Sequence, residues 1–186
     1  SQGPATGLRT VVIDPGHGGE ELGTQGAKGT LEKDITLSVA RRLRTLIESR
    51  LGAKVFLTRE DDRTLSLDDR NTQAYTLLGD VYIGRHEPAK ALPYLEKAVQ
   101  IQPKLTQNQV NLAACLIEVK NFSRAQQLLE AVLSGHPRFP GAQFNLGVLH
   151  EERGQPQEAR TAYEAEVANY PSSFKARFNL GKLLAQ

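Results

Sequence analysis

His17 stands in the stretch Asp14-Pro15-Gly16-His17-Gly18-Gly19, directly after the apolar run Thr10-Val11-Val12-Ile13. A β-branched run that stops at Asp-Pro-Gly reads as a buried strand ending in an abrupt turn. Glycines on both sides of the imidazole leave no Cβ between it and whatever it touches. A histidine on a glycine-walled turn at the carboxyl end of a strand is placed as a ligand. The competing reading is a surface histidine on a tight turn. A second candidate, Glu32, follows a loop carrying Gly23, Gly26 and Gly29 and lies within Thr30-Leu31-Glu32-Lys33-Asp34. Its simpler role is that of a first-turn carboxylate favoured by the helix dipole.

The elements that must position these two side chains are legible around them. Ile35, Val39, Leu43, Leu46 and Ile47 recur at helical spacing, with Arg41, Arg42, Arg44 and Glu48 on the other face. Thr30 is the expected N-cap and Gly52 the expected stop. Lys54-Val55-Phe56-Leu57-Thr58 then reads as a strand, followed by Arg59 and the polar loop from Glu60 to Arg63. Strand, helix and strand in this order make one βαβ unit of a parallel sheet. Ligand groups of such sheets gather beyond the carboxyl ends of the strands, where His17 falls and where Glu32 can reach it across the loop.

Three segments in order, VVIDPGHGG, TLEKDITLSVARRLRTLIE and KVFLTREDDRTLSLDDR, span Thr10 to about Arg70. They resemble the zinc-dependent N-acetylmuramoyl-L-alanine amidases, which cut the bond between the glycan and the peptide of bacterial peptidoglycan. The resemblance implies that His17 and Glu32 are the first two zinc ligands. Glu21 stands where many relatives carry Asp. Imidazole and carboxylate suit zinc, and an open coordination position would carry an activated water. The family also needs a further histidine ligand and a catalytic glutamate near the end of the domain, and neither arrives in recognisable context.

Beyond Arg70 the pattern becomes helical and periodic. Pro103, Pro137 and Pro171 are 34 residues apart, as are Ala91, Ala125 and Ala159. Leu78-Gly79, Leu112-Ala113, Leu146-Gly147 and Leu180-Gly181 keep the same step. A 34-residue period with these markers resembles tetratricopeptide (TPR) repeats, helix pairs that stack because no pair buries its apolar face alone. The expected architecture is therefore an α/β partial parallel sheet over residues 1–71, followed by an all-α solenoid over 72–186. The repeats fall at about 72–105, 106–139 and 140–173, with a capping helix at 174–186.

His86 belongs to both readings. It lies near where the amidase family's second zinc histidine would fall, with Asp80-Val81-Tyr82-Ile83 before it as a candidate third strand. In the repeat phase the same residues close a helix, and Arg85-His86-Glu87 is a turn. Six phase markers around it favour the turn; as amidase residues, His86 would be a third ligand and Glu87 the general base. His136 and His150 fall at a repeat end and in a first helix, which points to structural or surface roles.

Composition agrees with a composite chain. Among 186 residues, 23 basic and 21 acidic groups balance to a net charge of +2, so no nucleic-acid or anionic-membrane surface is expected. The single cysteine, Cys115, excludes an internal disulfide and falls on an apolar repeat face. No run is long enough to span a bilayer and no signal peptide is evident. Ser1 to Gly7 read as a loose lead-in, and a chain starting at Ser1 without methionine looks like a mature or excised fragment.

Two function classes follow. In the first, the chain is a TPR interaction module that binds a protein or peptide on its concave face and carries an incomplete amidase segment. Asn111, Asn145 and Asn179 share one repeat position and resemble asparagines that contact ligand backbone; Asn is also common at that position. In the second, it is an active zinc amidase that hydrolyses the lactyl–L-alanine amide of peptidoglycan, with repeats for partner binding. The amidase resemblance implies the bacterial periplasm or cell envelope. A two-stranded parallel sheet leaves an open edge, and three alternatives stand: the first repeat helix covers it, a second copy of the chain covers it in a homodimer, or nothing does and this half is poorly ordered.

Overall fold

The structure, a computed structural model, describes residues 10–185, so the lead-in expected at Ser1 to Gly7 lies outside the described residues. The chain divides into two compact units, Ser1–Val81 and Tyr82–Gln186. Strand β1 (Thr10–Ile13) pairs in parallel with β2 (Lys54–Leu57), Val11 opposite Val55 and Ile13 opposite Leu57. Helix α1 (Glu32–Leu51) forms the crossover between them, as the βαβ pattern requires. Helix α2 (Leu67–Gly84) follows, so Asp80 to Ile83 are helical and supply no third strand.

Two local expectations for α1 are corrected. The N-cap is Leu31, not Thr30. The first helical N–H groups, of Glu32 and Lys33, donate to the carbonyls of Thr24 and Leu22, at 3.0 and 3.3 Å. The folded-back loop thus caps the helix with its own backbone and leaves a hydroxyl nothing to do. At the other end Gly52 closes the helix in the left-handed conformation, as expected (φ 62°). The second correction concerns the inward face. Leu37 and Ala40 are buried and Ile47 packs against the Ala40, Val55 and Leu57 cluster. Ile35, Val39, Leu43 and Leu46 are exposed. The helix carries two apolar stripes, and a sheet of two strands is wide enough to cover one.

In the repeat unit α3 (Pro88–Ile101), α4 (Thr106–Glu118), α5 (Phe122–Gly135), α6 (Ala142–Glu152), α7 (Pro156–Asn169) and α8 (Phe174–Leu184) follow in order. The 34-residue step is visible in the backbone itself. His86, Lys120 and Gly154 each adopt a left-handed conformation, with φ of 58°, 62° and 69°. Each is followed by the same hydrogen bond, from Glu87, Asn121 and Gln155 N–H to the carbonyls of Tyr82, Leu116 and His150. A continuous core joins α3 to α6 through Leu95, Leu112, Leu116, Leu129 and Leu149. Cys115 lies within it, and burial, with Glu118 and Glu96 adding to it, pushes its thiol up to about 11. Among the described residues no helix is long and apolar enough to cross a membrane.

One buried charge departs from the repeat pattern. Glu166, 3 % exposed, holds the phase that Ala98 and Val132 fill in the preceding repeats. Its carboxylate accepts from the backbone N–H groups of Gly141 (3.0 Å) and Phe144 (3.3 Å). These are orphan donors at the start of α6, so a side chain from α7 caps the helix that its own sequence leaves uncapped.

Candidate functional site

The Asp14–Gly19 turn begins where β1 ends, and its polar backbone is claimed by two arginines. Arg59, fully buried, donates from Nε to the Pro15 carbonyl (3.0 Å) and from Nη2 to the carbonyls of Gly16 (2.9 Å) and Lys33 (3.0 Å). Arg70 donates to the carbonyls of Pro15 (2.7 Å) and His17 (2.6 Å) and pairs with Asp14 at 2.8 Å. Thr58 bonds the same Asp14 carboxylate. Burial, reinforced by the neighbouring Arg70 charge, lowers the Arg59 pKa, while Asp62, Asp14 and Asp61 oppose that shift. A guanidinium stays protonated throughout the working pH range, so both arginines can serve as permanent donors to a turn rich in carbonyls.

A second set of contacts fixes the loop after His17. Lys33 Nζ donates to the Gly19 carbonyl (2.8 Å) and to Asp62 (2.7 Å), and Asp62 accepts from Gly19 N–H (2.7 Å). The Lys33 hydrogen bond, followed by that of Gly19, holds the Asp62 carboxyl below its usual range. His17 itself sits in the left-handed region, at φ 59°. That conformation is uncommon for a residue with a Cβ.

The expected pair does come together. His17 Nε2 lies 3.5 Å from Glu32 Oε2, with 37 % and 41 % of the two side chains exposed. Glu32 Oε2 also accepts from Thr24 N–H at 2.8 Å. The Thr24 backbone and side chain lower the Glu32 pKa most, and His17 adds a smaller push. Gly23 makes the approach feasible: a Cβ there would lie 2.7 Å from Glu32 Cβ and 2.9 Å from His17 Cδ2.

Two donors do not complete a zinc site. Among the described residues no group of three or more His, Cys, Asp or Glu side chains gathers as a metal site. A catalytic zinc takes three protein ligands and a water. The residues present therefore do not fit a resident zinc, and no reaction step follows from them.

The other candidates lie in the repeat unit. His86 occupies the left-handed turn position shared with Lys120 and Gly154. Glu87 caps α3 and pairs with Arg85 (2.9 Å) and Lys90 (2.5 Å). Asn111 accepts from Gln107 (2.8 Å), and Asn179 donates to the Tyr163 hydroxyl (3.0 Å). Asn145 is half-buried in α6.

Sequence reasoning missed the roles of Arg59, Arg70, Lys33 and Asp62. The available signal was indirect. The Asp-Pro-Gly turn exposes carbonyls to few local donors, and such carbonyls need partners from elsewhere in the chain.

Comparison with known proteins assigns both regions. Residues 11–92 match the family profile of N-acetylmuramoyl-L-alanine amidase. Residues 82–143, 116–174 and 151–186 match tetratricopeptide repeat profiles. The chain is 42% identical over 79 residues to the N-acetylmuramoyl-L-alanine amidase AmiC of Escherichia coli, covering 42% of this chain and 19% of that protein. It is 41% identical over 91 residues to the probable cell wall amidase LytH of Staphylococcus epidermidis, covering 48% of this chain and 29% of that protein. The chain thus spans less than a third of the length of either relative. The repeats superimpose on the first TPR of Spaghetti (RPAP3) bound to an HSP90 peptide, with a TM-score of 0.55 and 19% identity over 63% of this chain and 95% of that one. At that identity the likeness establishes the fold. The amidase and repeat matches share residues 82–92, so the two patterns run into each other within one stretch of chain. Residues 11–92 therefore match part of the N-acetylmuramoyl-L-alanine amidase family, and the chain continues from there as tetratricopeptide repeats.

Proposed function

We propose that this chain is a TPR interaction module that binds a protein or peptide segment, and that its amidase segment lacks full catalytic competence. The observation that carries this reading is the contrast between a repeat unit with its own continuous core and a His17–Glu32 pair that meets no third donor among the described residues. His17 and Glu32 are, in this reading, two donors of an incomplete zinc site. His86 and Glu87 act as repeat-turn residues and not as third ligand and base. Asn111, Asn145 and Asn179 line the peptide site on the concave face. The HSP90 peptide seated on the Spaghetti repeats supports a peptide as the class of partner. The amidase similarity supports the cell envelope as the setting, and peptidoglycan as a surface that the amidase segment could still contact.

One experiment separates this from an active amidase. The purified chain is analysed for bound zinc and assayed for release of stem peptides from peptidoglycan. Substoichiometric zinc and no release are expected. Stoichiometric zinc with turnover abolished by His17→Ala would overturn the proposal. For the binding half, Asn145→Ala is expected to weaken a captured peptide at least tenfold without changing helix content by circular dichroism.

A further inference from the structure

Helix α4 buries every position from Val110 to Ile117 except Asn111 and Ala114. Gln107 and Glu118, both exposed, continue that stripe in the two directions, at the spacing of a single helix face. One period later α6 presents Gly141, Asn145, Val148 and Glu152, with Asn145 and Val148 half-buried and Glu152 exposed. The two helices approach within 8 Å between Cα atoms. Neighbouring rows thus offer an amide, a small apolar side chain and a carboxylate in the same order.

The carboxylates stand where a helix least favours them. Glu118 and Glu152 close the last turns of α4 and α6, at the negative ends of the two macrodipoles. Glu118 forms no ion pair among the described residues, and Glu152 meets the exposed Lys120. An exposed pair of that kind adds little stability. Asn111 is held by Gln107 and Asn179 by Tyr163, whereas the Asn145 side chain has no hydrogen-bond partner among the described residues. Groups that do so little for the fold, yet keep register across two helices, are accounted for by a ligand that spans both.

We infer that α4 and α6 together bind a basic peptide segment of a partner protein, in polyproline II conformation, with Lys or Arg at every third position. The inference rests on the peptide-binding function proposed above and names the chemistry of that peptide. Packed helices lie about 8–10 Å apart. A polyproline II chain advances about 9 Å in each three-residue turn, which returns every third side chain to the same side. Cations at that spacing meet Glu118 and Glu152 together, an intervening apolar side chain rests on Ala114 or Val148, and Asn145 bonds the ligand backbone. A β-strand would turn the two cations to opposite sides. In α8 the phase of Ala114 and Val148 is taken by Lys182, which repels a cation and limits the register to α4 and α6.

The test titrates the full chain into a labelled, end-capped peptide that repeats Lys-Val-Pro, and into its Glu-Val-Pro counterpart, followed by fluorescence anisotropy. The basic peptide should bind saturably, at least tenfold more tightly than the acidic one, and more weakly as salt rises. Glu118→Lys should weaken it at least tenfold while hydrogen-exchange protection of α4 rises, because the new charge suits the helix end. Opposite signs exclude unfolding as the cause. Lys120→Gly keeps the left-handed turn that Gly154 makes one period on, frees Glu152, and should tighten binding several-fold. Glu158→Gln, at an exposed position of α7, should change nothing. Absence of saturable binding, equal or tighter binding of the acidic peptide, affinity unchanged by Glu118→Lys, or an equal loss with Glu158→Gln would overturn the inference. So would self-association on light scattering that Glu118→Lys abolishes, since a second copy would then occupy the face. A random-sequence peptide library selected on the same chain separates the two levels. Capture that depends on Asn145 without enrichment of Lys or Arg overturns the basic ligand and leaves the peptide-binding function standing. Loss of all Asn145-dependent capture overturns both.

Discussion

In the N-terminal unit the largest fully buried side chain is Arg59, whereas in the repeat unit the corresponding side chains are Tyr163, Leu95, Leu112, Leu116, Leu129 and Leu149. The first unit surrounds a buried cluster of Ala40, Val55 and Leu57 with a lattice of charge-assisted hydrogen bonds. The second interlocks apolar side chains along one continuous core. The contrast teaches that a two-stranded sheet with one crossover helix removes little apolar surface from water. Its turns must then be held by directional bonds, whose removal leaves buried acceptors without partners. Stacked helix pairs need few such bonds, because each pair buries the face of its neighbour.

The sharpest way to break the comparison is to remove one guanidinium. Arg59→Met is expected to cost about 3–5 kcal/mol, because it removes three charge-assisted hydrogen bonds, to the carbonyls of Pro15, Gly16 and Lys33, from a buried site. Urea titrations followed through amide resonances should show signals from β1 and α1 lost early, with those of α4 and α5 unmoved. Loss of the α4 and α5 signals at the same urea concentration would show that the two units do not unfold separately.

Leu129→Ala is the converse. Emptying a fully buried leucine position in the repeat core should cost about 3 kcal/mol. Helix content should then melt at lower temperature while the β1 signals persist.

Gly147→Ala sharpens the picture inside the repeats. The added Cβ would lie 2.3 Å from the Tyr163 ring, so about 2 kcal/mol of stability should be lost to overpacking. An unchanged urea midpoint would mean that the ring can move aside.

The smallest effect is electrostatic. The folded pKa of Asp62 is depressed, so its contribution to stability is present above the unfolded value of about 3.9 and is lost as pH falls through the lower folded value. Glu32 is depressed in the same direction. The N-terminal unit should therefore weaken in acid, and Asp62→Asn should flatten its urea midpoint against pH below about 4. A slope unchanged by the substitution would remove Asp62 from the account.

How far these features could be read from sequence depends on the range of the interaction. The turn at His86 was legible because Lys120 and Gly154 repeat its position and local hydrogen bonds impose the same backbone on all three. The Gly52 stop was legible for a similar reason: a left-handed cap is a property of one residue. The Thr30 cap was misread because carbonyls of Leu22 and Thr24, brought back by the loop, took the donors first. The inward face of α1 was misread because the helix has two apolar stripes, and periodicity cannot say which of them meets β2. The pairing of His17 with Glu32 was readable from the βαβ order. The arginines that hold the turn were not, since Arg59 and Arg70 reach Pro15 across 44 and 55 residues of chain.

By itself, then, the sequence determined the βαβ start, the 34-residue repeat, the absence of an internal disulfide and the two candidate ligands. Each follows from short-range spacing or from composition. Only the tertiary structure decided that Glu166 caps α6, that the Tyr163 ring closes on Gly147, and that no third donor among the described residues joins His17 and Glu32. Those outcomes depend on which distant side chain arrives at a given point in space, and one-dimensional spacing does not encode that arrival.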